Sequence, residues 1–174
     1  MKGEPTKLDP RGNPRIKYTL ANVDIKGNWF DDGGESEFLS ILQEKFQIKA
    51  HLSDVDFDLL PLEYPDNHFD TVTSFEVFEH LYNPLFHTRE LARVLKPNGR
   101  LFLSTPNGRS FRSLVQIITN TRYQYHVNEW SESSIRDMFT ISGLTINRLE
   151  RINTTAGGTI TRPFKSGFWI EATK

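Results

Sequence analysis

One unit in the middle of the chain constrains the fold more than any other feature. Residues 69–75 (FDTVTSF) and 100–106 (RLFLSTP) are short apolar runs, the first rich in β-branched residues. Between them, residues 84–95 place Leu85, Leu91, Ala92 and Leu95 on one helical face and Arg89, Glu90 and Arg93 on the other. Lys96-Pro97-Asn98-Gly99 supplies turn residues to end that helix. A strand apolar throughout suits an inner position in a parallel sheet, buried on both faces. Strand, helix and strand in that order predict neighbouring strands of an open α/β sheet.

The rest of the chain extends the pattern. Residues 18–25 (YTLANVDI) have strand character and run into a Gly/Asn/Asp cluster at 27–34. Residues 35–46 place Phe38, Leu39, Ile41, Leu42 and Phe46 on one helical face, with Gly34 or Ser36 as cap. Residues 48–52 form a short strand leading into an acidic run, and 60–68 a loop with two prolines. Residues 110–118 suit a short helix. A further helix follows, capped by Ser131 or Ser133 and stopped by Gly143; residues 144–152 and 167–174 then alternate as strands. The last two strands follow one another without a helix, so they pair as a hairpin. The predicted fold is a Rossmann-like α/β domain over residues 18–174. It has an open, mostly parallel sheet, helices on both faces and an antiparallel C-terminal hairpin. Residues 1–17, with three prolines and no apolar period, read as an extended arm.

Composition narrows the chemistry. No cysteine is present, which excludes thiol nucleophiles, disulfides and Cys-ligated zinc. Twenty-one Lys and Arg balance 22 Asp and Glu, a net charge of −1, so no global field draws in nucleic acid. No apolar run approaches the ~18 residues of a membrane span, and the first twenty residues lack a signal-like stretch. The expected address is cytoplasmic, with neither nucleic acid nor membrane as partner. His51, His68 and His87 are scattered, and no metal site is expected from spacing.

Ligands of open α/β sheets bind beyond the carboxyl ends of the strands. On this reading those ends carry Asp24 and Gly27, then Asp54 and Asp56, then Phe75, Glu76, Glu79 and His80, then Thr105 to Asn107. Acids there can accept from ribose hydroxyls, and glycines let the backbone approach a ligand. Asp24 and Asp54, taken singly, could equally cap turns. His80 follows a strand and neighbours Glu79, which suits a general base, although packing against the next helix would also place it there. Residues 122–130 gather Tyr123, Tyr125, His126 and Trp130, which could stack on a flat acceptor or pack as a lid on their own core. Arg109, Arg112 and Arg122 could meet a phosphate, but three arginines in so short a stretch more often form a solvated face.

The middle of the chain resembles class I S-adenosylmethionine-dependent methyltransferases of the type 11/12 group. The resemblance rests on Leu60-Pro61…Pro65-Asp66…Phe69-Asp70-Thr71-Val72, Glu76-Val77-Phe78-Glu79-His80-Leu81, Arg89-Glu90-Leu91-Ala92-Arg93-Val94-Leu95-Lys96-Pro97-Asn98-Gly99 and Ser104-Thr105-Pro106-Asn107, in order over about 50 residues. His126…Trp130-Ser131…Gly143-Leu144 resembles a later segment of the same group. The resemblance implies S-adenosylmethionine as cofactor. It assigns Asp24, Gly27, Gly33 and Gly34 to the methionine end and Asp54 to the ribose. It assigns Asp56 to the adenine amine, and Phe75 with Glu76 to the methyl group. It implies methyl transfer to a small-molecule or glycan-type acceptor, with a non-catalytic binding protein of the same fold as the alternative. Two departures stand out. The compact glycine motif is replaced by two partial sites across residues 24–34. Between Gly34 and Pro61 there is room for one helix and one strand, so one inner α/β unit is expected to be missing.

Overall fold

The computed structural model describes residues 12–110, 113, 115, 118, 119, 126–153 and 165–174. In chain order the elements are α1 (Pro14–Asn22), β1 (Trp29–Asp31), α2 (Glu37–Phe46), β2 (Phe69–Phe75), a 3-10 turn (Phe78–His80), α3 (Pro84–Val94), β3 (Leu95–Pro106), α4 (Glu132–Ile141), β4 (Thr145–Ile152) and β5 (Gly167–Thr173). The sheet order is β1-β2-β3-β5-β4. β1, β2 and β3 run parallel, and β5 is antiparallel to both β3 and β4. Outside β1, residue 51 adds a single parallel bridge to Phe30. From α2 the chain reaches that bridge and returns to β2 with no second helix, so the sheet is short by one α/β unit, as its length foretells.

The first strand is not where the alternation of residues 18–25 puts it. Asn13 caps a helix there through a 2.9 Å bond from the Arg15 amide, and Pro14 fills the first turn, where a missing N–H costs nothing. Helix α1 therefore begins inside the expected N-terminal arm. β1 lies within the expected glycine cluster. Its three residues are all buried, Trp29 and Phe30 entering opposite core layers. Trp29 joins Val23, Ile25, Leu39, Leu42, Phe102 and Trp169 beneath α1 and α2. Phe30 joins Phe69, Val72, Leu91, Leu101 and Phe139 on the side of α3 and α4. Helices thus cover both faces, as parallel strands require.

This shift moves two expected cofactor residues to the wrong end of the sheet. Gly27, at φ +63°, lies against Asp70 at the amino end of β2; a Cβ there would fall 2.4 Å from Asp70 Oδ2. Asp24 pairs with Arg100 at 2.8 Å, where Arg100 lies opposite Thr71 near the start of β2. Neither faces the carboxyl ends of the parallel strands. Lys96 to Gly99, expected as a turn, belong to β3 as an excursion. Phe69 pairs with Leu95 and Thr71 with Arg100, and Lys96 Nζ holds Asp70 at 2.8 Å across the gap. Ser36 caps α2 and Ser131 caps α4 through their hydroxyls. Most of the helix expected at 110–118 lies outside the described residues.

Candidate functional site

The carboxyl ends of β1 and β2 meet at two turns. After β1, Asp31-Asp32-Gly33-Gly34 leads to the cap of α2. A Cβ on Gly33 would lie 3.2 Å from Asp31 Oδ1, a tight approach, and at ordinary contact distance, 3.9 Å, from the Phe75 carbonyl at the end of β2. After β2, Glu76 adopts φ +61°, a conformation that costs a non-glycine residue of order 1 kcal/mol. Two donors fix it there: its amide bonds the Ser104 carbonyl at 2.9 Å, and its Oε1 accepts from Ser104 Oγ at 3.0 Å. Phe75 packs its ring on Phe38 of α2, 5.4 Å between centroids.

Asp31 and Asp32 are both buried, and each is held separately. Asp31 accepts from the Gly33 amide at 3.0 Å and from Thr73 Oγ1, which in turn accepts from Trp29 Nε1 at 2.8 Å. Burial, reinforced by the charge of Asp32, pushes the Asp31 carboxyl up to about 7. Asp32 Oδ2 meets His87 Nε2 of α3 at 2.8 Å, and both side chains are almost wholly buried. Phe57 stacks on the His87 ring, 4.6 Å between centroids. Asp32 therefore ties the glycine turn to α3.

The Asp31 shift gives a pH prediction. The folded carboxyl holds its proton more tightly than the unfolded one, so its stabilising effect is complete below pH ~4 and is lost as pH rises through about 7. The Tm should fall by roughly 5–10 °C across that window, and Asp31→Asn should flatten this part of the profile. A calorimetric pH series on both proteins checks it; an equally steep fall in the variant would assign the slope elsewhere.

Arg15 of α1, within the segment read as an arm, reaches this same edge. Its Nη1 pairs with Glu76 Oε2, while its Nε is buried with no hydrogen-bond partner. A buried guanidinium donor left open next to a glycine turn suits an anionic group. Asp54 stands exposed three residues beyond the bridge at His51. Asp56 instead closes its own turn, accepting from the Asp58 amide at 2.9 Å through its side chain and from the Leu59 and Leu60 amides through its carbonyl.

Beyond the end of β2, the 3-10 turn presents His80 with its side chain 46% exposed. His126 lies beside it, 5.1 Å between ring centroids. The His126 segment is anchored to the turn: the Val127 and Asn128 amides bond the Glu79 carbonyl at 2.8 and 3.2 Å. Trp130 takes the second of its two expected roles. It is buried and meets Phe78 within the core at 6.5 Å, so it is spent on packing rather than on stacking an acceptor. Tyr123 and Tyr125 lie outside the described residues. Glu79 is buried, accepts from Thr105 Oγ1 at 3.1 Å, and is pushed up to about 8 by burial and by Glu76.

A glycine turn, an exposed acid and an unpartnered arginine donor thus stand at the carboxyl ends of parallel strands, the edge at which open α/β proteins bind their ligands. Comparison with known proteins narrows this. Residues 14–149 match the methyltransferase domain family. The chain is 30% identical over 144 residues to 27-O-demethylrifamycin SV methyltransferase of Amycolatopsis mediterranei, covering 68% of this chain and 49% of that one. It is 24% identical over 125 residues to the ubiquinone biosynthesis O-methyltransferase of Coxiella burnetii, covering 62% and 51%. It superposes on an S-adenosylmethionine-dependent methyltransferase structure from Thermotoga maritima with TM-score 0.69 at 14% identity, covering 92% of this chain and 88% of that one. The chain belongs to the class I S-adenosylmethionine-dependent methyltransferases, whose cofactor is S-adenosylmethionine. It spans about half the length, or less, of the curated relatives it matches. The residues present fit that cofactor, since its methionine end carries a carboxylate that the open Arg15 Nε can satisfy.

Proposed function

We propose that this chain catalyses methyl transfer from S-adenosylmethionine to a nucleophilic oxygen or nitrogen of a small-molecule or glycan-type acceptor. The observation that carries the reading is the buried, unpartnered Nε of Arg15 beside the Gly33 turn. When bound, the cofactor supplies a methyl group made electrophilic by a sulfonium. Arg15 holds the carboxylate of the methionine tail, and Gly33 and Gly34 let the backbone close around that tail. Asp54 accepts from the ribose hydroxyls. Phe75 and Glu76, fixed by Ser104, line the path of the methyl group. His80 takes the acceptor proton. Methyl transfer asks little more than in-line positioning and exclusion of water.

The test separates tail recognition from nucleoside recognition. Arg15→Met should weaken S-adenosylhomocysteine by roughly 10–100-fold in calorimetric titration, the worth of a charge-assisted hydrogen bond. It should leave 5′-methylthioadenosine, which has no carboxylate, nearly unchanged. Equal losses for both ligands, or none for either, would remove Arg15 from the site. Absence of any thermal shift of the wild type with millimolar S-adenosylhomocysteine would overturn the whole reading.

A further inference from the structure

One side-chain cluster is not absorbed by this function. Glu79, His80 and His126 each offer a ligand atom, and these atoms all lie within 4.8 Å of one another. Glu79 Oε1 and His80 Nε2 are 4.0 Å apart. We propose that these three side chains bind a divalent transition-metal ion. Ligand atoms at about 2.1 Å from a tetrahedral ion stand roughly 3.4 Å apart, so the cluster has to contract by about 1 Å. Metal binding would draw the His80 and His126 rings inward by that amount.

The surroundings match a metal centre. Glu79 is 1% exposed, a place where an ionised carboxylate needs a cation. Its other oxygen is held by Thr105 Oγ1, the outer hydrogen bond that orients a ligating carboxylate. The His126 backbone is not loose. The next two amides bond the Glu79 carbonyl, and the Asn128 side chain bonds the Leu81 carbonyl. Two imidazoles and one carboxylate favour Zn2+, Co2+ or Mn2+ over Mg2+ or Ca2+, which prefer oxygen ligands. Sequence spacing gives no hint of this, because His126 comes from 46 residues beyond His80 and only the fold joins them. Three protein ligands leave a coordination position open. Where the transferase reading holds, an acceptor hydroxyl in that position would lose its proton more readily, and His80 would serve as ligand rather than base. That last clause rests on the proposed function; the metal site does not.

The test uses chelator-stripped protein without any nucleoside. Titration with Co2+ should produce visible d–d bands that saturate at one equivalent. Glu79→Gln and His126→Ala should each weaken binding by about tenfold or more, while His51→Gln, outside the cluster, should leave it unchanged. Circular dichroism verifies folding. Should Glu79→Gln not fold, His126→Ala decides, since its ring contacts His80 at the surface. No bands with excess Co2+, or wild-type affinity in His126→Ala, would overturn the proposal. Failure of S-adenosylhomocysteine binding would leave this result standing.

Discussion

Replacing His87 by alanine should destabilise the protein by about 3–5 kcal/mol, because it strands a buried Asp32 carboxylate with no partner. The pair is 2.8 Å apart, the His87 and Asp32 side chains are 1% and 0% exposed, and Asp32 Oδ1 already lacks a hydrogen bond. The double variant Asp32→Val, His87→Leu should recover most of the loss, since an apolar pair of similar volume carries no desolvation penalty. Urea unfolding of the three proteins measures this. A single variant within 1 kcal/mol of wild type would show that water reaches the pair. A second readout follows from the tether: the double variant should keep its stability yet bind S-adenosylhomocysteine less tightly, because the glycine turn is no longer pinned to α3.

Trp29→Ala should cost a comparable ~3–5 kcal/mol. The side chain is wholly buried among Val23, Leu39, Leu42 and Trp169. It is also the first donor in a chain through Thr73 to Asp31. Trp29→Phe isolates the polar part: it fills most of the space but removes the indole N–H, and should cost about 1–2 kcal/mol. Chemical denaturation distinguishes the two; a Trp29→Phe variant as stable as wild type would mean the hydrogen bond carries nothing, and equal losses would mean it carries the whole effect.

The central crossover was legible because residues 69–75, 84–94 and 100–106 each hold one period over a full element. Ser36, Ser131 and Gly143 announced their helix ends chemically. β1 was not legible for the opposite reason. Three residues are too few to show a period, and the longer alternation of 18–25 outcompeted them. The signal against that choice was local: Asn13 and Pro14 are a cap and a first-turn residue. Misplacing β1 put Asp24 and Gly27 at the carboxyl edge of the sheet and left Asp31, Asp32 and Arg15, which do lie there, unread. Gly33, Gly34, Phe75 and Glu76 do lie at the carboxyl ends of β1 and β2, because the apolar strand before each turn fixes where the chain must turn. The His80–His126 contact depends on backbone bonds between distant segments, which no spacing encodes.

β5 follows β4 in the chain but sits between β3 and β4 in the sheet. Its seven residues hydrogen-bond on both sides, and Phe168, Trp169, Ile170 and Ala172 enter the two core layers. During synthesis, β3 and β4 therefore emerge from the ribosome with a gap between them that only residues 167–173 can fill. Until β5 inserts, β3 and β4 each present an unpaired edge, so the antiparallel half of the sheet closes in a single late step.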